Sequence, residues 1–253
     1  MKALEHRVSL SFINFFSYFF MIIVMAMGIM PDSIMGERFM AANQETGTPT
    51  SLPHPYGQVA AVHAESEGIS LFLGGDVMTG RGIDQIMPNP GSHVIHESYM
   101  RNANGYVQLA EKVNGLIPKP VSYDYIWGDA LPVLKSVNPD LRVINLETSV
   151  TTNDDFWPKG INYRMHPRNA ACLSAAGIDC CILANNHVLD WGHTGLIETL
   201  DVIKAEGIKP VGAGKDRYEA EAPAIFKITG KGRLVILAYG SKTSGIPVSW
   251  AAS

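Results

Sequence analysis

Residues 180–192 read CCILANNHVLDWG, five apolar residues running without a spacer into Asn185, Asn186 and His187, with Asp190 three positions on. A short continuous apolar run bounded by polar residues fits a strand covered on both faces. Extended to DCCILAN at 179–185, it has three counterparts: ISLFLGGDV at 69–77, LRVINLE at 141–147 and LVILAYG at 234–240. All four are expected as central strands.

Helical spacing fills the intervals. The candidates are YVQLAEKVNGL (106–116), GDALPVLKSV (128–137), RNAACLSAAG (168–177) and TGLIETLDVIKAEG (194–207). In the last, Leu196, Leu200 and Ile203 recur at helical intervals, Thr194 stands where a cap is needed and Gly207 where the helix ends. Strands alternating with helices predict an α/β domain with a layered sheet. AIFKITG (224–230) and RLVILAYG (233–240) flank Lys231 and Gly232, which predicts a hairpin and an antiparallel element.

Polar residues gather at the carboxyl ends of these runs, where open α/β sheets present their ligand sites. One run ends in Gly75-Asp76, the next in Asn145-Leu146-Glu147 and the third in Asn185-Asn186-His187. Carboxylates with a carboxamide oxygen suit Mg²⁺ or Mn²⁺, and an added imidazole suits Zn²⁺ or Fe. A histidine beside such a centre can protonate a leaving group. Taken singly, each has a simpler reading: Asp76 as a helix cap, Asn145 and Glu147 as a hydrogen-bond network, the paired asparagines as turn residues and Asp190 as a cap. Three successive strand ends with metal-competent residues favour a functional group.

Other residues read more plainly. Cys172, Cys180 and Cys181 are odd in number and two are adjacent, so they fit packing better than a disulfide framework or a zinc motif. His93 and His96, in SHVIHESY, have the spacing of a metal pair but lie in a loop-like insertion and read as solvated. GGDVMTGRG lacks the spacing of a dinucleotide-binding turn and the Lys-Ser/Thr ending of a phosphate loop.

The chain has 253 residues, 46% hydrophobic and 17% charged, enough to bury a substantial core. A net charge of −4 leaves no electrostatic footprint for nucleic acid. Residues 1–7 form a basic stub, and residues 8–30 are uncharged and long enough to cross roughly 30 Å of hydrocarbon as a helix. The span is expected as an uncleaved transmembrane anchor, with a cleaved export signal as the alternative. The stub places the N-terminus in the cytoplasm and everything after residue 30 outside it, as a single-pass protein of the cell membrane. Residues 31–67, polar and rich in Pro, Thr and Gly from residue 41, read as a flexible linker to a domain at 68–253.

GGDVMTGRG, VINLETSVT, LANNHVLDWGHTGLIETL and PVGAGKDRYEAEAPAIF, in this order, resemble the CapA-type proteins of poly-γ-glutamate capsule synthesis. YIWGDAL, GINYRMHP and SGIPVSWAA extend the resemblance from about residue 69 to the end. It implies a calcineurin-like metallophosphoesterase fold, a layered α/β/β/α sandwich, here incomplete at the C-terminus. It further implies Asp76, Glu147 and Asn186 as metal ligands, His187 and Arg81 as catalytic groups, and Asn145, Asn185 and Asp190 in support around them. A divalent metal (Mn, Mg, Zn or Fe) is expected, bound weakly because Asp76-Val77-Met78 replaces an Asp-x-His pattern and the later histidine motifs are absent. The expected partners are an anionic polymer such as poly-γ-glutamate, the membrane and capsule synthase subunits. The implied roles are a metal-dependent, phosphoesterase-like hydrolase or a non-catalytic polymer-binding or synthase-assembly component.

Overall fold

The computed structural model describes residues 21–27 and 68–252. Its elements are β1 (Met21–Met27), β2 (Leu71–Val77), α1 (Arg81–Ile86), α2 (Asn104–Asn114), α3 (Ala130–Val137), β3 (Leu141–Leu146), β4 (Ser149–Val150), β5 (Arg164–Met165), α4 (Ala171–Ala175), β6 (Cys180–Ile182), α5 (Gly192–Ala205), β7 (Lys209–Val211), α6 (Arg217–Glu221), β8 (Ala224–Ile228) and β9 (Gly232–Tyr239). Four strands form a parallel sheet in the order β2-β3-β6-β7. Helices occupy each crossover, as parallel neighbours require.

Strand periodicity divides the apolar residues between two cores. Leu141 and Val143 of β3 face one way and join Cys180, Ile182 and Ala184 against Ala224, Leu234, Ile236 and Ala238 of the hairpin. Ile144 and Leu146 face the other way, with Cys181 and Leu183, against Leu173, Leu196, Leu200 and Ile203 of the helices. Cys172, Cys180 and Cys181 are all buried and free, as expected of packing residues.

The second sheet is antiparallel, in the order β1-β9-β8. The layers are therefore helices, parallel sheet and antiparallel sheet, three of the four expected; no outer helix layer is seen among the described residues. Residues 234–240 were expected as a strand covered on both faces, but β9 belongs to this second sheet and its burial alternates along its length. Ile225 and Tyr239 are exposed. Just after β7, a Cβ on Gly212 would lie 2.7 Å from the Ala184 methyl and 2.8 Å from that of Ala238, at a φ of +85°. Only glycine fits there.

One local expectation is not shown and another is corrected. The helix expected over residues 8–30 is not shown: Met21–Met27 is extended and pairs with β9, whose edge offers a row of backbone groups. The rest of that span, the stub and the linker lie outside the described residues. Among the described residues, no helix is long and apolar enough to cross a membrane. Thr194 does not cap α5; the helix starts earlier, after Trp191 at Gly192, without a side-chain cap. Asp190, the other nearby capping residue, is committed elsewhere. Gly207 does end the region with a φ of +78°, its N–H bonded to the Lys204 carbonyl.

One carboxylate joins the two sheets. Asp140 Oδ2 accepts from the N–H and hydroxyl of Ser70, at 2.7 and 2.9 Å, just before β2. It also accepts from Lys231 Nζ of the β8–β9 turn, at 2.7 Å. Burial opposes ionisation, but Lys231 and Ser70 prevail and hold the Asp140 carboxyl below its ordinary range. A carboxylate with a depressed folded pKa contributes stability above its unfolded value and loses it as pH falls through the folded value. Asp140→Asn is expected to lower the unfolding free energy by about 1–2 kcal/mol at neutral pH, a charge-assisted bond discounted for partial exposure. Urea unfolding of both forms should show the gap closing below about pH 4. An equal gap at pH 7 and at pH 3 would contradict this assignment.

Candidate functional site

The site begins with an irregularity in β2. Gly74 is opposite Ile144, yet Asp76 is opposite Asn145, so Gly75 is an extra residue in the ladder. A bulge of this kind re-aims the side chain that follows it. Asp76 is thereby set beside Asn145, which donates Nδ2 to Asp76 Oδ1 at 2.8 Å.

A relay of amides continues from there. Asn145 Oδ1 accepts from Asn185 Nδ2 at 2.9 Å, and the same amide reaches the Leu146 carbonyl at 2.9 Å. Asn185 Oδ1 accepts from the His187 N–H at 3.0 Å. Both amides are buried, and with every polar atom engaged neither can rotate without stranding a partner. The β3 and β6 ends are thus locked to each other and to Asp76.

Glu147 follows β3 with its side chain 15% exposed, its Oε1 3.5 Å from His187 Nε2. Burial first, and then the neighbouring Asp76 carboxylate, push its pKa up to about 8. Two carboxyls in one site resist double ionisation, a conflict that a cation relieves.

His187 is held from behind. Its Nδ1 lies 2.7 Å from Oδ2 of Asp190, which is completely buried. That oxygen also accepts the Tyr163 N–H at 2.7 Å, while Oδ1 lies 2.5 Å from Lys159 Nζ. A carboxylate can only accept, which makes Nδ1 the donor and turns the Nε2 lone pair toward Glu147. Burial pushes the imidazole pKa down, Asp190 opposes, and Lys159 and Arg81 add to the lowering. Burial likewise lowers the Lys159 ammonium, against the pull of Asp190. Lys159 also donates to the Asn186 carbonyl, and Ser149 Oγ to the His187 carbonyl at 3.0 Å.

Above His187 stands an aromatic and cationic stack. The Tyr163 ring lies on the imidazole with centroids 4.0 Å apart. The Arg81 guanidinium lies 4.7 Å from the Tyr163 ring centroid and 4.9 Å from that of Tyr106.

The structure therefore brings together Asp76, Asn145, Glu147, Asn185, His187 and Asp190. Among the described residues, neither the Asn186 side chain nor Arg81 makes a hydrogen bond to Asp76 or Glu147. The Asn186 side chain lies toward Gly245, where an added Cβ would come 3.7 Å from its Nδ2. Arg81 Nε pairs with Glu97 Oε1 at 2.5 Å. Sequence reasoning missed Lys159, Tyr163 and Glu97; the available signal was a lone lysine among the aromatic residues of FWPKGINY. His93 is exposed, and His96 lies flat on Phe156 at 3.7 Å, so they form no ligand pair.

No group of three or more His, Cys, Asp or Glu able to hold a metal ion occurs among the described residues. The donors present, Asp76 and Glu147, fit a hard cation of the Mg²⁺ kind, which binds one or two carboxylates and completes its shell with water and substrate oxygens. This oxygen set favours Mg²⁺ or Mn²⁺ over Zn²⁺ or Fe.

Residues 70–253 match the family model described as bacterial capsule synthesis protein PGA_cap. A "probable polyglutamine synthesis accessory protein" of Mycobacterium tuberculosis (strain CDC 1551 / Oshkosh) is 46% identical over 185 residues, 73% of this chain and 49% of that protein. Its counterpart in strain ATCC 25618 / H37Rv matches to the same extent. Capsule biosynthesis protein CapA of Bacillus anthracis is 23% identical over 154 residues, 61% of this chain and 30% of that protein. The chain spans about half the length of the mycobacterial relatives it matches. With the family model covering most of its length, the chain belongs to the bacterial capsule synthesis protein family PGA_cap.

Proposed function

We propose that the chain is a membrane-anchored, extracytoplasmic accessory of poly-γ-glutamate-type polymer synthesis. Its Asp76–Glu147 edge holds a divalent cation and acts in the manner of a hydrolase. The observation that carries this reading is the adjacency of Asp76 and Glu147 at two strand ends, with His187 Nε2 facing Glu147. Family membership and the printed names of the relatives support the polymer.

A cation bound there supplies Lewis-acid polarisation of an acyl or phosphoryl oxygen. Asn145 orients Asp76 toward it. Asp190 and Lys159 fix the imidazole, so that His187 Nε2, with its lone pair free, is the atom placed to take a proton from an attacking water and return it to the leaving oxygen or nitrogen. The Tyr163 ring covers His187 and limits its hydration. A second reading, a non-catalytic component that holds polymer or completes a synthase, is favoured by the word "accessory" in the mycobacterial names.

Calorimetric titration of the full chain with Mg²⁺ or Mn²⁺ should show weak binding, reduced about tenfold or more by Asp76→Asn and by Glu147→Gln. Tight stoichiometric binding that survives both substitutions removes these ligands from the assignment. Hydrolysis of a generic phosphoester or a γ-glutamyl oligomer is expected to fall about 10²-fold or more in His187→Ala. An inactive wild-type chain that still binds polymer selects the second reading. For the anchor, which requires Met21–Met27 to leave β9 for the membrane, the full chain should resist carbonate extraction from membranes; release of the intact chain would exclude it.

A further inference from the structure

We propose that the outer edge of the Arg81 guanidinium is a recognition point for an oxyanion of the ligand, either a carboxylate of a γ-glutamyl chain or a phosphoryl group. The proposal deepens the functional reading above and rests on its site.

Three observations converge on Arg81. The residue sits just after β2 at a φ of +52°, a left-handed conformation that side chains other than glycine's rarely adopt. Such strain persists where surrounding contacts over-determine it. Those contacts are present: Glu97, completely buried, takes Arg81 Nε on one oxygen and the Tyr106 hydroxyl on the other. The rings of Tyr106 and Tyr163 lie at 4.9 and 4.7 Å from the guanidinium carbon. The guanidinium is held at its inner edge and by its flat faces.

Its outer edge is not used by the protein. Among the described residues, the hydrogen bond from Arg81 is the one through Nε, and the side chain is 16% exposed. The Tyr163 ring that lies on the imidazole of His187 also lies against the guanidinium, so one tyrosine joins Arg81 to the Glu147–His187 edge. Paired, parallel N–H donors match the two oxygens of a carboxylate or phosphoryl group. A planar fork stacked on aromatic rings keeps its orientation, which an ammonium on a flexible stem does not. A mere clamp on the 92–103 loop needs the Glu97 contact but not an open fork.

The Asp76 and Glu147 carboxylates of the site repel an anion until a cation neutralises them, so the test is run both ways. The full chain is titrated by calorimetry with a γ-linked glutamate hexamer and, separately, with inorganic phosphate, each with Mg²⁺ and with a chelator. Binding of the hexamer, of phosphate or of both is expected, tighter with Mg²⁺. Arg81→Gln should lower affinity at least tenfold wherever binding is measured. Arg81→Lys, which keeps the charge, should recover only a minor part of that loss, and Glu97→Gln should lower affinity about threefold or more by releasing the guanidinium.

The hexamer alone binding identifies the carboxylate as the source, and phosphate alone identifies the phosphoryl group. The double variant Asp76→Asn, Glu147→Gln should abolish the Mg²⁺ dependence and leave the Arg81-dependent binding. Arg81-dependent binding with no Mg²⁺ effect in the wild type overturns the cation reading and supports this one. A wild-type chain that binds neither probe, or Arg81→Gln or Arg81→Lys binding as tightly as wild type, overturns the oxyanion assignment.

Discussion

The structure depends on the burial of β3 and β6 from both sides. Side chains of β3 alternate between a helical core and a core shared with the second sheet, and neither face offers water to a polar group. Unpaired polar groups are costly in such a place. The polar residues of these strands are therefore confined to their ends, where Asn145 and Asn185 satisfy each other and the loops behind them. The constraint that builds the core thus also assembles the site.

Pinned loops supply the rest. Asp84 is buried and accepts from the N–H groups of Gly91 and His166 and from the Asn169 side chain, at 2.7, 2.9 and 2.7 Å. It ties the segment after α1 to the turn before α4. Asp190 does the same for the segment bearing Lys159 and Tyr163. Each of these carboxylates anchors irregular backbone through directed bonds rather than through apolar contact.

Legibility in the sequence followed this division. Runs such as 141–147 and 179–185 announce themselves because continuous apolar character is what two-sided burial demands, and the residues at their ends could be named as a group. The α5 helix and the β8–β9 hairpin were equally plain. The two-residue strands β4 and β5 and the strand β7 were not: β7 is Lys209-Pro210-Val211, and proline is tolerated there because β7 is the last strand of its sheet. Gly75 as an extra ladder residue leaves no periodic trace. Lys159, Tyr163 and Glu97 reach the site from irregular segments, whose folding is set by long-range bonds that no local pattern encodes. Asn186 shows the converse: its neighbour His187 pairs with Asp190 and faces Glu147, while the Asn186 side chain makes no hydrogen bond to the site's carboxylates among the described residues.

The adjacent thiols of Cys180 and Cys181 point into different cores, and this separation has a redox consequence. A disulfide between neighbours would require both sulfurs on one side of the strand, and here the backbone of β6 lies between them. Burial pushes the Cys172 and Cys180 thiols up to about 12, and the Cys181 thiol is raised as well. Since the thiolate is the reactive form, burial and these raised values disfavour attack on the three thiols by oxidants and alkylating agents while the domain is folded. Thiol reactivity in this chain becomes a clock for the opening of its central sheet.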